Sequence, residues 1–125
     1  MQTLFDRVGG SATFDKLAKE FYRGVASDPL LKPMYPEQDL GPAERRLNMF
    51  LQQYWGGPDT YQQERGHPRL RMRHAPYKIG PKAKKAWLGH MRNAVDSLEL
   101  SQADEAELWD YLERAATAML NTFDD

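Results

Sequence analysis

The chain contains no cysteine. Disulfides, thiolate zinc sites, iron–sulfur clusters and a cysteine-ligated haem are therefore excluded. Long apolar runs are also missing. No stretch approaches the roughly 20 residues needed to cross a bilayer, and the first residues carry no apolar segment of the signal-peptide kind. A soluble, cytoplasmic protein is expected. No window alternates apolar and polar residues convincingly, so no strand is expected. No serine sits in a G-x-S-x-G turn, and the glycine pairs at 9–10 and 56–57 lack the flanking strand of a nucleotide-binding loop. No H-E-x-x-H or E-x-x-H pair lies on an expected helix, which leaves little basis for a zinc or di-iron site. Acids are unevenly spread: the chain has 18 Asp and Glu against 17 Lys and Arg, a net charge of −1, yet none falls between Arg65 and Val95.

That acid-free window is where the chemistry concentrates. It holds Arg65, Arg69, Arg71, Arg73, Lys78, Lys82, Lys84, Lys85 and Arg92, together with all three histidines, His67, His74 and His90. Its densest part is HPRLRMRHAPYKIG, residues 67–80. Such a stretch grips a polyanion or holds a metal-bearing anionic cofactor. The histidines are too scattered to share one metal. A single imidazole acting alone points to haem, the common case in which one protein ligand suffices.

The 125 residues are expected to form one domain spanning 1–125, large enough for a substantial core. Helical periodicity dominates. Gly9-Gly10-Ser11 reads as a turn into a helix whose inner face is Phe14, Leu17, Ala18, Phe21, Tyr22 and Val25. Asp28-Pro29 reads as an N-cap with proline at the first helical position, starting only a short turn because Pro33 and Pro36 follow. Gly41-Pro42 opens a second long helix with Ala43, Leu47, Phe50, Leu51 and Tyr54 inward, closed by Gly56-Gly57-Pro58. Residues 56–68 read as a polar loop and 69–74 as a short helix. A third long helix is predicted from Pro81 to Leu98. Ser101-Gln102-Ala103-Asp104 resembles a capping box opening the last helix. The fold class is all-α, with four main helices and short ones between.

Haem asks for an apolar slot, an imidazole, cations for two propionate carboxylates, and hydrogen-bond donors where a gas is to be held. The chain offers arginines beside a histidine and an unusual load of inward-looking Tyr and Trp. At this point FYRGVASDPLLKPMYPEQDL, RRLNMFLQQYWGGP and GHPRLRMRHAPYKI resemble the truncated haemoglobins, and specifically their group II. The similarity runs from Leu4 into the last helix.

The resemblance implies a short globin, two helices crossed over two around a haem b. It implies His74 as proximal iron ligand. It implies a distal trio of hydrogen-bond donors in Tyr22, Tyr35 and Trp87, and Arg46 and Arg73 as propionate partners. Leu47, Phe50, Leu51, Tyr54, Leu70, Ile79 and Met91 are expected to touch the porphyrin. Many larger globins carry a histidine or glutamine where this chain matches Ala43; the donor task then passes to the trio, and a small side chain leaves an entry gap for ligand.

The expected function is reversible binding of O2, NO, CO and similar ligands with slow release. That suits redox chemistry on oxygen and reactive nitrogen, with electrons from a reductase, better than oxygen transport in bulk. A dedicated nitric oxide dioxygenase or peroxidase is the alternative. A small nucleic-acid-binding module using residues 65–92 is a remote one, and no nucleic-acid partner is expected. A monomer or small homo-oligomer is anticipated, and the roles of His67 and His90 stay open.

Overall fold

In a computed structural model, residues 2–123 are described. Seven α-helices follow one another: α1 (Leu4–Arg7), α2 (Ser11–Ala26), α3 (Gly41–Tyr54), α4 (Thr60–Arg65), α5 (Leu70–His74), α6 (Pro81–Asp96) and α7 (Gln102–Ala118), with a 3-10 turn at Lys32–Met34. No strand occurs among the described residues. The long helices are α2, α3, α6 and α7. α2 packs on both α3 and α6, and α6 also packs on α7. This is the two-over-two arrangement of the truncated globins.

The predicted inner face of α2 is buried throughout: Phe14, Leu17, Ala18, Phe21, Tyr22 and Val25. It shares one buried cluster with Leu51 from α3, Met91, Ala94 and Val95 from α6, and Leu108 and Leu112 from α7. Each large apolar side chain buried this way contributes roughly 1.5–3 kcal/mol.

Sequence punctuation explains most boundaries. Pro42 and Pro81 stand in the first turns of α3 and α6, where the missing N–H removes no helical bond. Ser101 caps α7 by accepting from the Asp104 N–H at 3.2 Å. Asp104 does not close a reciprocal capping box; its carboxylate takes the Arg7 Nε at 3.1 Å and so ties α7 to α1. The Gly56-Gly57 pair does more than stop a helix. The Phe5 N–H donates to the Trp55 carbonyl at 3.1 Å, seating α1 on the end of α3. A Cβ at Gly57 would lie 2.7 Å from the Phe5 ring, and Gly56 stands at φ +99°.

One expectation is met and two are corrected. The polar loop 56–68 contains α4, a helix with one apolar anchor, Tyr61, buried edge-on against Phe50 at a 5.8 Å ring separation. One anchor in six residues leaves no periodicity to read. The short turn expected at Asp28-Pro29 is present: the Asp28 Oδ1 accepts the N–H groups of Leu30 and Leu31 at 2.8 and 3.3 Å, as a cap would, and with Pro33 close behind only a 3-10 turn follows. The third long helix ends at Asp96 rather than Leu98.

Candidate functional site

Between the long helices lies a cavity of about 560 Å³, within the ~300–1,000 Å³ range of small-molecule and cofactor pockets. Its walls come from α2, α3, α5, α6 and α7 and from the segment after α2. His74, Tyr22, Tyr35, Trp87, Arg46 and Arg73 all line it, as do the expected apolar contacts Leu47, Phe50, Leu51, Leu70 and Ile79, and also Ala43. Two expected contacts are not among its lining residues. Met91 is wholly buried in the core between helices. Tyr54 turns outward, 47% exposed, and stacks on Tyr111 at 3.9 Å between ring centres. Both follow the apolar period of their helices, and period alone does not distinguish core from cavity wall.

His74 ends α5. Its Nδ1 lies 2.6 Å from the Leu70 carbonyl oxygen. A carbonyl only accepts, so Nδ1 carries a proton, and in the neutral ring Nε2 keeps its lone pair. That is the tautomer a metal ligand requires, with the ring's orientation fixed by the second nitrogen. The loop after it is held from the far end of the chain. The Asn121 side-chain amide donates to the Tyr77 carbonyl at 2.7 Å, and its carbonyl oxygen accepts from the Ile79 N–H at 2.8 Å. The reading by sequence missed Asn121, because nothing near position 121 signals a contact 42 residues away.

Tyr22 and Tyr35 meet edge to face at 5.6 Å, with their hydroxyl oxygens 3.4 Å apart, Tyr22 donating. Burial and the neighbouring phenol push the Tyr22 hydroxyl far above the ordinary tyrosine range. Tyr35 is pushed up by burial, against the hydrogen bond from Tyr22 and the Arg46 charge. Both phenols therefore stay protonated at any physiological pH. Tyr35, accepting from Tyr22, keeps its own proton to give. Trp87 is set by the edge of Phe21, 5.3 Å between ring centres, and its indole N–H meets no protein acceptor among the described residues.

The arginines differ. Arg46 is bracketed by Glu37, Nη1 to Oε1 at 3.1 Å and Nη2 to Oε2 at 3.4 Å. The Arg46 guanidinium holds the Glu37 carboxyl below its usual range. Arg73 is fixed by neutral partners, Nε to the Pro68 carbonyl at 2.8 Å and Nη2 to the Arg65 carbonyl at 3.0 Å, so its charge is left for an anion. Glu37 and Lys84 also line the cavity; neither was anticipated, and no motif spacing marks them.

His67 is exposed. His90 is half-buried on α6 and its Nε2 lies 2.6 Å from the Asp28 Oδ2. Gly24 on α2 makes room for this ring, since a Cβ there would come within 2.4 Å of Nδ1. His90 thus joins α6 to the turn that leads towards Tyr35. No group of three or more metal-ligating side chains occurs among the described residues. One imidazole, apolar walls and cations at the same cavity fit a prosthetic group that brings further metal ligands of its own.

Comparison with known proteins agrees. Residues 3–121 match the bacterial-like globin family. A group 2 truncated hemoglobin of Bacillus subtilis is 42% identical over 112 residues, 90% of this chain and 84% of that one. The crystal structure of a thermostable hemoglobin from the actinobacterium Thermobifida fusca superposes with a TM-score of 0.95 at 61% identity, covering 96% of this chain and 98% of that one. The structure of a truncated oxygen-avid haemoglobin from Bacillus subtilis gives 0.90 at 39% identity, with 96% and 100% covered. On sequence and fold alike, the chain belongs to the bacterial-like globins and, within them, to the group II truncated haemoglobins.

Proposed function

We propose that this chain is a haem b protein that binds dioxygen and other diatomic ligands, releases them slowly, and uses them in redox chemistry rather than in bulk transport, with electrons from a reductase in the cytoplasm. The observation that carries the reading is the 2.6 Å contact of the His74 Nδ1 with the Leu70 carbonyl, which leaves Nε2 as a ligand in a cavity shared with Tyr22, Tyr35 and Trp87. Haem supplies the iron at which diatomic gases bind and are reduced or oxidised.

His74 would hold that iron, Arg73 and Arg46 would meet the propionates, and Leu47, Phe50, Leu70 and Ile79 would form the apolar slot. Tyr35 and Trp87 would donate hydrogen bonds to a ligand in the cavity, and Tyr22 would orient Tyr35. A hydrogen bond to a charged acceptor contributes about 1.5–3 kcal/mol, and 1.4 kcal/mol is a factor of ten in an equilibrium constant. Two such donors slow release by orders of magnitude, with the sum reduced because the groups touch one another. The oxygen avidity named for the Bacillus subtilis relative supports slow release.

The purified protein should be red, with a strong band near the violet edge that shifts on adding dithionite and again with carbon monoxide. Oxygen dissociation followed by rapid mixing should be slow. A colourless protein, or one whose spectrum ignores carbon monoxide, would remove the reading. Sustained turnover of nitric oxide or peroxide with a reductase would mark it as an enzyme in its own right.

A further inference from the structure

The cavity uses only part of the acid-free stretch. Among its polar groups Arg65, Arg73, His74, Tyr77 and Lys84 line it, whereas Arg69, Arg71, Lys78, Lys82 and Lys85 are exposed and lie outside its lining. The arginines divide sharply. Arg7, Arg23, Arg45, Arg46, Arg92 and Arg114 each pair with a carboxylate. Arg65, Arg69, Arg71 and Arg73 pair with none among the described residues, and neither do Lys78 and Lys85. Between these cations in the chain come two exposed apolar side chains, Met72 at 60% and Tyr77 at 36%, the latter at the cavity's edge. An apolar centre of Met and Tyr ringed by Arg has the composition of a protein interface.

We infer that the surface around His74, formed by Arg69, Arg71, Met72, Tyr77, Lys78 and Lys85, is the docking site of an acidic one-electron carrier protein. The inference rests on the haem reading above and names the partner it requires. The net charge of the chain is only −1, so the attraction is local to this face and steers a negative partner here rather than elsewhere. Electron transfer weakens steeply with distance, and a carrier seated here approaches the cavity from the side of the imidazole. The contact would be small and transient, at the low end of interface sizes, below about 1,200 Å². The step moves one electron and no atoms: the carrier's reduced cluster or flavin is oxidised by one electron, and ferric iron is reduced to ferrous.

The test uses the ferric holoprotein and a reduced plant-type [2Fe–2S] ferredoxin, an acidic carrier, mixed anaerobically in stopped flow. The bimolecular rate should fall at least about tenfold as ionic strength rises from roughly 0.02 to 0.5 M, because the Debye length shortens from about 20 Å to a few Å. Combining Arg71→Glu, Lys78→Glu and Lys85→Glu should lower the low-salt rate at least about tenfold and flatten the salt dependence. The neutral combination Arg71→Gln, Lys78→Gln, Lys85→Gln should fall between. Reduction by photoreduced riboflavin, an uncharged donor, and the absorption spectrum should not change. Ferredoxin rates within twofold of the parent in both variants would overturn the docking site while leaving the haem reading intact. So would salt-steep binding of this face to phosphatidylserine vesicles or RNA with no charge dependence in the ferredoxin reaction. Absence of a haem spectrum would instead sink the reading beneath it.

Discussion

At the scale of single residues, the site rests on which polar atoms are already satisfied by protein. The Tyr22 hydroxyl spends its proton on Tyr35, while the Trp87 N–H has no acceptor among the described residues. Trp87 is therefore the donor most available to a ligand. Trp87→Phe should raise the oxygen dissociation rate at least about tenfold, the loss of one hydrogen bond to a charged acceptor. A rate within twofold of the parent would remove Trp87 as a main donor. Ala43 is 2% exposed and lines the cavity, where a larger side chain would narrow the path a gas must take. Ala43→Phe should slow carbon monoxide association in flash photolysis; an unchanged rate would mean that entry lies elsewhere. Individual residues were legible in the sequence where a motif carried them, as with His74 in RMRHAPY. Glu37 and Asn121 were not, because each acts through a partner brought near only by folding.

At the scale of elements, what matters is how the short pieces between the long helices are held. The Asp28 side chain bonds two backbone amides of the turn after α2 and, through His90, reaches α6 one helical turn beyond Trp87. This clasp fixes the segment bearing Tyr35 relative to the helix bearing Trp87. Gly24→Ala should break it without replacing either partner, because the added methyl takes the place of the His90 ring. It and His90→Ala should both raise hydrogen exchange at the Leu30 and Leu31 amides and speed oxygen release. His90→Gln, whose amide nitrogen can reach the Asp28 carboxylate, should recover most of the loss. Equal effects of Ala and Gln at position 90 would show that packing, not the hydrogen bond, is responsible. The long helices were readable because their apolar faces repeat over three or more turns. α4 was not, since a segment of six residues is shaped by its contacts more than by its own pattern.

At the scale of the molecule, a single hydrophobic cluster joins α2, α3, α6 and α7, and carboxylates pin its outer pieces together. Asp28, Glu37 and Glu64 are held below their ordinary values of 3.8, 4.5 and 4.5, by hydrogen bonds from His90, Arg46 and Arg45 respectively. A carboxylate with a depressed folded value stabilises the fold above its ordinary value, and the contribution is lost as pH falls through the depressed one. The melting temperature should therefore stay level from neutral pH down to about 5 and drop below about 4, less steeply in Asp28→Asn. A steep fall already near pH 6 would contradict this. Fold class and site motif were thus legible together, since the residues lining the cavity sit at fixed places on helices whose own period is strong. The central claim is tested most directly by haem retention and the ferrous carbon monoxide spectrum of His74→Gly. Loss of haem or of the native spectrum, with recovery on adding imidazole, is the predicted result; unchanged haem content and unchanged gas binding without imidazole would contradict the account.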